Sequence, residues 1–288
     1  MIPATSLAPL VNAYTIRTGP PKAILVPKAS SLAILQDVTV GGTLLAKQVV
    51  SLNPATGRRT VALGANGGKY GIEADGDLHF CVGGRALTPH VTCELQHATA
   101  WLPTFQAAIG TAMSASGWFR CLFEHPGFAA NDDAHIFEIH PVRAVALAGV
   151  SQAFDVDLPD PASIHTWTSP HPLNVQDGKI RASYDRAADT LTFTNMDGQD
   201  ENYVSVPGAV SQVTPGAGGA PSTCTLTSPD IGHPIEVIAL AGTRAARQLA
   251  SLAAVNVTLV GLRNIDLRQA LTGRYVINLL AIDIQPGP

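Results

Sequence analysis

The pattern of apolar and polar positions predicts a protein built mainly from β-strands. The segment "AHIFEIHPVRAVAL" (134–147) is typical, because branched and aromatic side chains recur at every second position. Glu138 and His140 interrupt this apolar pattern. Since side chains at i and i+2 leave a strand on the same side, the carboxylate and the imidazole are predicted to lie next to each other.

The two halves of the chain show the same order of elements: a hairpin, a strand, a short helix and two further strands. In the first half these are "YGIEADGDLHFCV", "HVTCELQ", "TAWLPTFQAAIGTAM", "GWFRCLFEH" and "HIFEIHPVRAVAL". In the second half they are "ASYDRAADTLTFTN", "PIEVIALA", "GTRAARQLASLAA", "VNVTLVGLR" and "GRYVINLLAIDI". This order predicts a mainly β protein with two tandem OB-like five-stranded barrels, each with one short helix. A β-sandwich or jelly roll is the alternative.

Proline-rich segments set the predicted domain boundaries. Five prolines in the first thirty residues oppose a long helix, so residues 1–30 are predicted to form an extended N-terminal arm. Residues 31–156 then form the first barrel, and residues 179–288 form the second. The segment 157–178 contains four prolines between strand-rich regions and is the predicted linker.

Part of the first half resembles a group of uncharacterised bacterial proteins with a small OB-like barrel. The resemblance rests on "DGDLHFCV", "VTCELQ", "FEHPG" and "FEIHPVRAV", and it spans residues 69–147. The last barrel strand of this group ends in a Glu-x-His-Pro-Val signature. The resemblance implies a barrel and no particular activity.

Candidate chemistry is concentrated in the first half, where six of the nine histidines lie between positions 79 and 140. Asp77 and His79 share one strand face, as do Glu138 and His140. If these strands are neighbours, imidazole and carboxylate groups converge as they do in zinc, manganese or iron sites. The predicted metal ligands are Asp77, His79, Glu94, Glu138 and His140. The alternative is a set of hydrogen-bonded polar groups on the solvated face of a barrel.

Comparison of the two halves serves as an internal control for these residues. Matching "DLHF" with "TLTF" places Asp77 against Thr190 and His79 against Thr192. Matching the final strands places Glu138 against Ile277 and His140 against Leu279, and Glu94 then corresponds to Ile238. The second half thus lacks ionisable groups at these positions, so the barrel itself should not require them.

A second candidate site consists of rings on the strand that precedes "HIFEIHPV". Trp118 and Phe123 are predicted to line a stacking platform in a barrel groove, with His125 beside them. The alternative is that these side chains pack in the core.

Composition limits the choice of partner. Charged residues make up 14% of the chain, against roughly 25% in typical soluble domains, and the formal net charge is -4. A weakly charged surface favours self-association or a protein partner over nucleic acid. The sequence shows no membrane span and no secretory signal, which predicts a cytoplasmic protein with four reduced cysteines.

Three functions follow from these observations. The first is a non-enzymatic binding or assembly protein built from tandem OB-like barrels, with an unknown partner. The second is a metal-dependent hydrolase, acting on phosphodiesters for example, that uses the polar residues of the first barrel with zinc or manganese. The third is a single-stranded nucleic-acid binder, which the fold suggests and the charge opposes.

Overall fold

The computed structural model describes residues 1–45, 48–52, 59–63, 77–84, 90–96, 98–125, 135–154, 179–196, 203–229, 231, 233–252 and 255–287. The chain divides into two compact units. The first unit comprises Met1–Phe154, Ile180–Gln199 and Leu267–Arg274. The second comprises Asp155–Lys179, Asp200–Asp266 and Tyr275–Pro288.

Strands dominate both units, as the alternating pattern predicts. The strands are β1 (Ile2–Pro3), β2 (Thr15–Arg17), β3 (Ala23–Pro27), β4 (Asp37–Leu45), β5 (Gln48–Leu52), β6 (Arg59–Leu63), β7 (Leu78–Gly83), β8 (Val91–Leu95), β9 (Ala112–His125), β10 (His135–Leu147), β11 (Val150–Ala153), β12 (Arg181–Asp185), β13 (Thr190–Thr194), β14 (Tyr203–Thr214), β15 (Ser222–Thr227), β16 (Ile235–Ala239), β17 (Asn256–Ile265) and β18 (Ile277–Pro286). The α-helices are α1 (Ala4–Val11), α2 (Ala29–Ala33), α3 (Leu102–Ala107), α4 (Arg244–Ala250) and α5 (Leu267–Ala270). A 3₁₀ turn, Thr99–Trp101, precedes α3.

The first unit contains an OB-like barrel made of β4, β7, β8, β10 and β9. Strand β4 pairs with β7, β7 with β8, and β8 runs parallel to β10. Strand β10 pairs with β9, and β9 pairs back with β4, which closes the circuit. Helix α3 lies between the third and fourth barrel strands in sequence. The centroid of its Phe105 ring is 4.9 Å from the centroid of the Phe80 ring of β7. Both rings are fully buried, so they anchor the helix to the barrel.

The second unit contains a closed barrel with the same strand order, β14-β15-β16-β18-β17. Its helix α4 also lies between the third and fourth strands in sequence. Thr243 caps this helix by accepting a hydrogen bond of 3.2 Å from the Ala246 amide. The prediction of a mainly β protein with two OB-like five-stranded barrels, each with one short helix, is therefore confirmed, and the sandwich alternative is not needed.

The N-terminal thirty residues differ from the predicted extended arm, because they include the helix α1. Ala4, Leu7, Ala8 and Val11 are buried, which is the i, i+3, i+4, i+7 spacing of an amphipathic helix. Pro3 stands at the N-cap, and Pro9 lies inside the helix. Burial of the apolar stripe outweighs the unfavourable Pro9, so tertiary packing overrides the local preference.

The hairpin at 181–194 is also placed differently from the prediction. The strand β13 pairs with β12 and with β3, in a four-stranded sheet of order β12-β13-β3-β2. It therefore belongs to the first unit and not to the second barrel. The reason is that a period-two pattern identifies a strand but does not specify its neighbour.

Among the described residues, no helix combines the length and the apolar character that a membrane crossing requires.

Candidate functional site: a buried polar cluster and an apolar cleft

Seven ionisable side chains meet on one face of the first barrel, and we call them the buried polar cluster. They are Asp77, His79, Glu94, Arg120, His135, Glu138 and His140, and each is at most 6% exposed. Four barrel strands contribute to the cluster, with Asp77 immediately before β7. A solvated polar face is therefore wrong as a description of these groups, because the fold removes them from water.

Two cross-strand pairs form the frame of the cluster. His79 of β7 lies opposite Glu94 of β8, and its Nε2 atom is 3.0 Å from Glu94 Oε2. Arg120 of β9 lies opposite Glu138 of β10, and its Nη1 atom donates to Glu138 Oε1 over 2.6 Å. Directly opposed positions bring side chains close together, which explains both pairs.

His140 connects the two pairs. Its Nδ1 atom is 2.8 Å from Glu94 Oε2 and 3.3 Å from Glu138 Oε1. Its Nε2 atom is 3.4 Å from Asp77 Oδ2. With carboxylates at both ring nitrogens, we assign a proton to each nitrogen. Arg120 Nη1 also lies 2.9 Å from His140 Nδ1. Because both atoms then carry protons, we interpret this contact as two donors that approach the same oxygen, Glu138 Oε1.

The charges of the cluster hold one another in the ionised state. Burial would raise the pKa of Glu138, but the Arg120 cation and hydrogen bonds from two histidines hold it well below its usual range. Burial likewise opposes ionisation of Glu94, and the nearby His140 and His79 lower its pKa. For His140, burial would lower the pKa, but Glu94 and hydrogen bonds to the carboxylates raise it well above the usual value. The result is a paired network, as buried charges require.

The second barrel fills the equivalent positions without charges, although the pairs differ from those predicted. In the first barrel, Cys93 of the third strand pairs with Ile139 of the last strand. In the second barrel, Val237 of the third strand pairs with Leu279 of the last strand. Glu138 therefore corresponds to Asn278 and His140 to Leu280, one residue from the sequence alignment. His79, which lies opposite Glu94, corresponds to Thr223 of β15, which lies opposite Ile238. The predicted match of Asp77 and His79 with Thr190 and Thr192 is wrong, because those threonines lie in the other sheet.

A neutral hydrogen bond replaces the ion pair of the first barrel. Asn264 lies opposite Asn278, and its Nδ2 atom donates to Asn278 Oδ1 over 2.7 Å. This pair stands where the first barrel has Arg120 and Glu138. The second barrel thus closes with amides at this position, so the barrel fold does not require the ion pair of the first barrel.

The five residues predicted as metal ligands all belong to the buried polar cluster, and their role as ligands stays a prediction. Sequence reasoning did not select Arg120 and His135 as site residues. Arg120 is the single charged residue within "GWFRCLF", and that interruption of an apolar strand was the available signal. His135 comes next to Glu138 through an irregularity in the pairing of β10, which period-two spacing does not reveal.

The proposed stacking residues lie in the core. Trp118 and Phe123 are 6% and 1% exposed, and the Phe123 ring packs edge-on against Phe193 at 5.0 Å. The side chain of His125 lies outside the described residues. Binding of a ligand by these three residues stays a prediction, and the described rings present no open face for stacking.

An apolar cleft of about 370 Å³ lies beside the hairpin of β10 and β11. Trp101, Phe105, Val145 and Leu147 form much of its wall, and none of the described residues that line it is charged. Val150 and Gln152 of β11 also line the cleft. Val150 is 66% exposed, so the wall of the cleft on this side is open to solvent.

Strand β11 is an edge of the sheet among the described residues. The Phe154 amide donates to the Arg143 carbonyl, so the alternating pattern directs the amides of Ser151 and Ala153 away from β10. The strand sequence VSQA has no charge and no proline. It therefore lacks the residues that commonly protect an exposed strand edge from pairing.

The four cysteines are buried and form no disulfide among the described residues. Burial raises the pKa of Cys224 to about 11, and it also raises the pKa values of Cys93 and Cys121. Thiols with raised pKa values hold little thiolate at neutral pH, so they are poor nucleophiles.

His90 offers a pH-dependent property outside the cluster. It is 1% exposed, neither ring nitrogen has a hydrogen-bond partner among the described residues, and burial lowers its pKa to about 4. The unfolded chain binds a proton here below about pH 6.5 and the folded chain only below about 4. Stability therefore falls between these values as the pH is lowered, by about 3 kcal/mol.

We expect His90→Leu to remove the loss of stability that His90 causes as the pH is lowered. Urea denaturation at intervals between pH 4 and pH 7 would show a flatter stability profile for this variant than for the wild type. His233→Leu, which replaces an exposed histidine, is the control and should keep the wild-type profile. Parallel profiles for His90→Leu and the wild type would contradict the interpretation.

Comparisons with known proteins identify no family for this chain. No protein-family model matches it, and no curated protein matches it. Solved structures give distant similarities. The wild-type single-stranded DNA binding protein from Thermus aquaticus is 12% identical, with a TM-score of 0.23, over 88% of this chain and 93% of that chain.

A deletion mutant of the same Thermus aquaticus protein gives 12% identity and a TM-score of 0.23, over 88% of this chain and 95% of that chain. A murine DNA binding protein bound with double-stranded DNA gives 8% identity and a TM-score of 0.25, over 87% of this chain and all of that chain (100%). The assignment of the fold therefore rests on the strand order of the two barrels.

Proposed function

We propose that this protein is a non-enzymatic OB-like assembly protein that pairs with a second copy of itself. The observation that carries the proposal is the uncharged edge of β11, which has no further strand beside it among the described residues and lies next to the apolar cleft. Exposed strand edges add further strands through main-chain hydrogen bonds, and neighbouring pockets receive side chains. Edge and cleft together supply both parts of such an interface.

A second copy is the occupant that fits this surface. Two β11 strands can pair antiparallel around a two-fold axis, because the same patch then serves both subunits. Val150 and Gln152 line the cleft from that strand, so this pairing brings the clefts of both copies to the interface. The absence of charge in the VSQA segment removes the repulsion that would otherwise oppose two identical edges.

The hydrolase hypothesis has less support. A catalytic metal keeps an open coordination position that water and substrate can reach. The buried polar cluster is at most 6% exposed, so it offers no such open position to water and substrate. Nucleic-acid binding would require a basic groove beside accessible rings, whereas Trp118 and Phe123 are buried.

The test measures the solution mass of the full chain by light scattering during size-exclusion chromatography. We expect twice the chain mass of 30.0 kDa at high concentration, with dissociation on dilution. Val150→Lys should weaken the association at least tenfold, since it places a charge on each edge.

The control is Val255→Lys, which replaces a valine of similar exposure, 64% against 66%, in the second unit. It should leave the mass unchanged. A monomer at all concentrations would refute the proposal. Salt-dependent binding of a labelled single-stranded oligonucleotide by that monomer would support the nucleic-acid function instead.

A further inference from the structure

We propose that the buried polar cluster holds a structural zinc ion, bound by His79, His135 and Glu138 with Glu94 as the fourth ligand. One ligand atom from each of the first three residues lies within 4.8 Å of the others. All four side chains are at most 6% exposed. Histidine nitrogens and carboxylate oxygens are established zinc ligands, and structural sites are closed to solvent.

Two distances between the ligand atoms are close to those of a tetrahedral site. His135 Nε2 is 3.1 Å from Glu138 Oε2, and His79 Nε2 is 3.0 Å from Glu94 Oε2. Two ligands on a tetrahedral zinc ion lie about 3.4 Å apart, given bonds of about 2.0 to 2.1 Å. The His79 and His135 rings are 5.8 Å apart and nearly perpendicular at 84°. Opening these two contacts by a few tenths of an ångström would give both pairs the spacing of ligands on a tetrahedral ion.

The surrounding residues act as the outer shell that metal sites commonly show. Arg120 holds the Oε1 atom of Glu138 and leaves Oε2 directed at His135. His140 approaches Glu94 from the other side. Partners of this kind fix the orientation of the ligating carboxylates.

The second barrel shows that the fold itself does not demand these ligands. Thr223 and Ile238 occupy the positions of His79 and Glu94, and Asn278 occupies that of Glu138. The groups of the first barrel are paired with one another, and a divalent cation between the histidines and the carboxylates would add a further counter-ion for Glu94 and Glu138.

The proposal is tested by measuring zinc in the full chain, purified without chelators, by elemental analysis. We expect one zinc ion per wild-type chain and a loss of at least tenfold in His135→Asn. His90→Asn replaces another buried histidine of the same barrel, and it should keep the full content. Wild-type protein that lacks zinc and binds none from added ZnCl₂, or equal content in both variants, would overturn the proposal.

A second measurement covers the case in which His135→Asn does not fold. The wild-type protein is stripped with a chelator and reloaded with Co²⁺, and its visible spectrum is recorded. We expect the intense bands of tetrahedral cobalt without a thiolate-to-metal charge-transfer band. A thiolate band would assign the metal to Cys81, Cys93 or Cys121 and would overturn this ligand set.

Discussion

Replacing Arg120 with asparagine is expected to destabilise the first barrel by about 3 to 5 kcal/mol, because it leaves a buried carboxylate without its main cation. Arg120 is fully buried, and its guanidinium lies 2.6 Å from Glu138. Urea denaturation at neutral pH, followed by the fluorescence of the neighbouring Trp118, would measure the loss. A variant as stable as the wild type would show that the ion pair has little role in folding.

The matched control is the double variant Arg120→Asn, Glu138→Asn, which reproduces the Asn264 and Asn278 pair of the second barrel. In that barrel the two amides are joined by a hydrogen bond of 2.7 Å. Since the buried carboxylate is removed together with its cation, we expect the double variant to recover at least half of the stability that the single variant loses, when both are compared with wild-type protein after treatment with a chelator. A double variant less stable than the single one would contradict this explanation.

Replacing Phe123 with alanine is expected to cost about 3 to 5 kcal/mol of stability, because it leaves a cavity in the core. The ring is 1% exposed and contacts Phe193 at 5.0 Å. Phe123→Leu should cost less than about 1.5 kcal/mol, since it retains most of the apolar volume. Thermal and urea denaturation of both variants would measure the difference. Wild-type stability of the alanine variant would favour the interpretation of Phe123 as a ligand-binding residue.

Arg120 and Phe123 both lie in β9 of the first barrel, and the second barrel differs from the first in its buried polar residues. At the positions of the buried polar cluster, the first barrel has charges that neutralise one another, whereas the second barrel has amides, a threonine and aliphatic groups. Charge pairs under burial contribute little net stability compared with well-packed apolar residues. Charges at these particular positions of the first barrel, where the second barrel is neutral, therefore point to a property other than folding, and zinc content measures that property.

The alternating strand pattern was sufficient to predict the class of fold. In the segment 134–147, residue spacing alone placed Glu138 and His140 on one face, and the structure places both in one cluster. The short helix before the last two strands was predicted from its position, and α3 and α4 occupy it. Local patterns of this kind carry such information because side-chain direction follows directly from backbone geometry.

The sequence pattern could not predict which strands pair with each other, or in which register. The hairpin at 181–194 has the alternation of a barrel strand, but it pairs with β3 near the N-terminus. The comparison of the two halves was displaced by one residue in the last strand, so Ile277 was matched to Glu138 in place of Asn278. A shift of one residue reverses the face of a strand, which is why register requires the tertiary structure.

By itself, the sequence determined the strand-rich composition, the closeness of ionisable groups two residues apart and the weakly charged surface. Only the tertiary structure decided that these groups are buried, that Arg120 and His135 join them and that β11, within the part of the chain that is described, is an edge strand beside an apolar cleft. The physical reason is the separation, along the chain, of the residues that determine each property. Side-chain direction depends on neighbouring residues of the chain, whereas burial, ion pairing and an unpaired edge depend on strands brought together from distant positions.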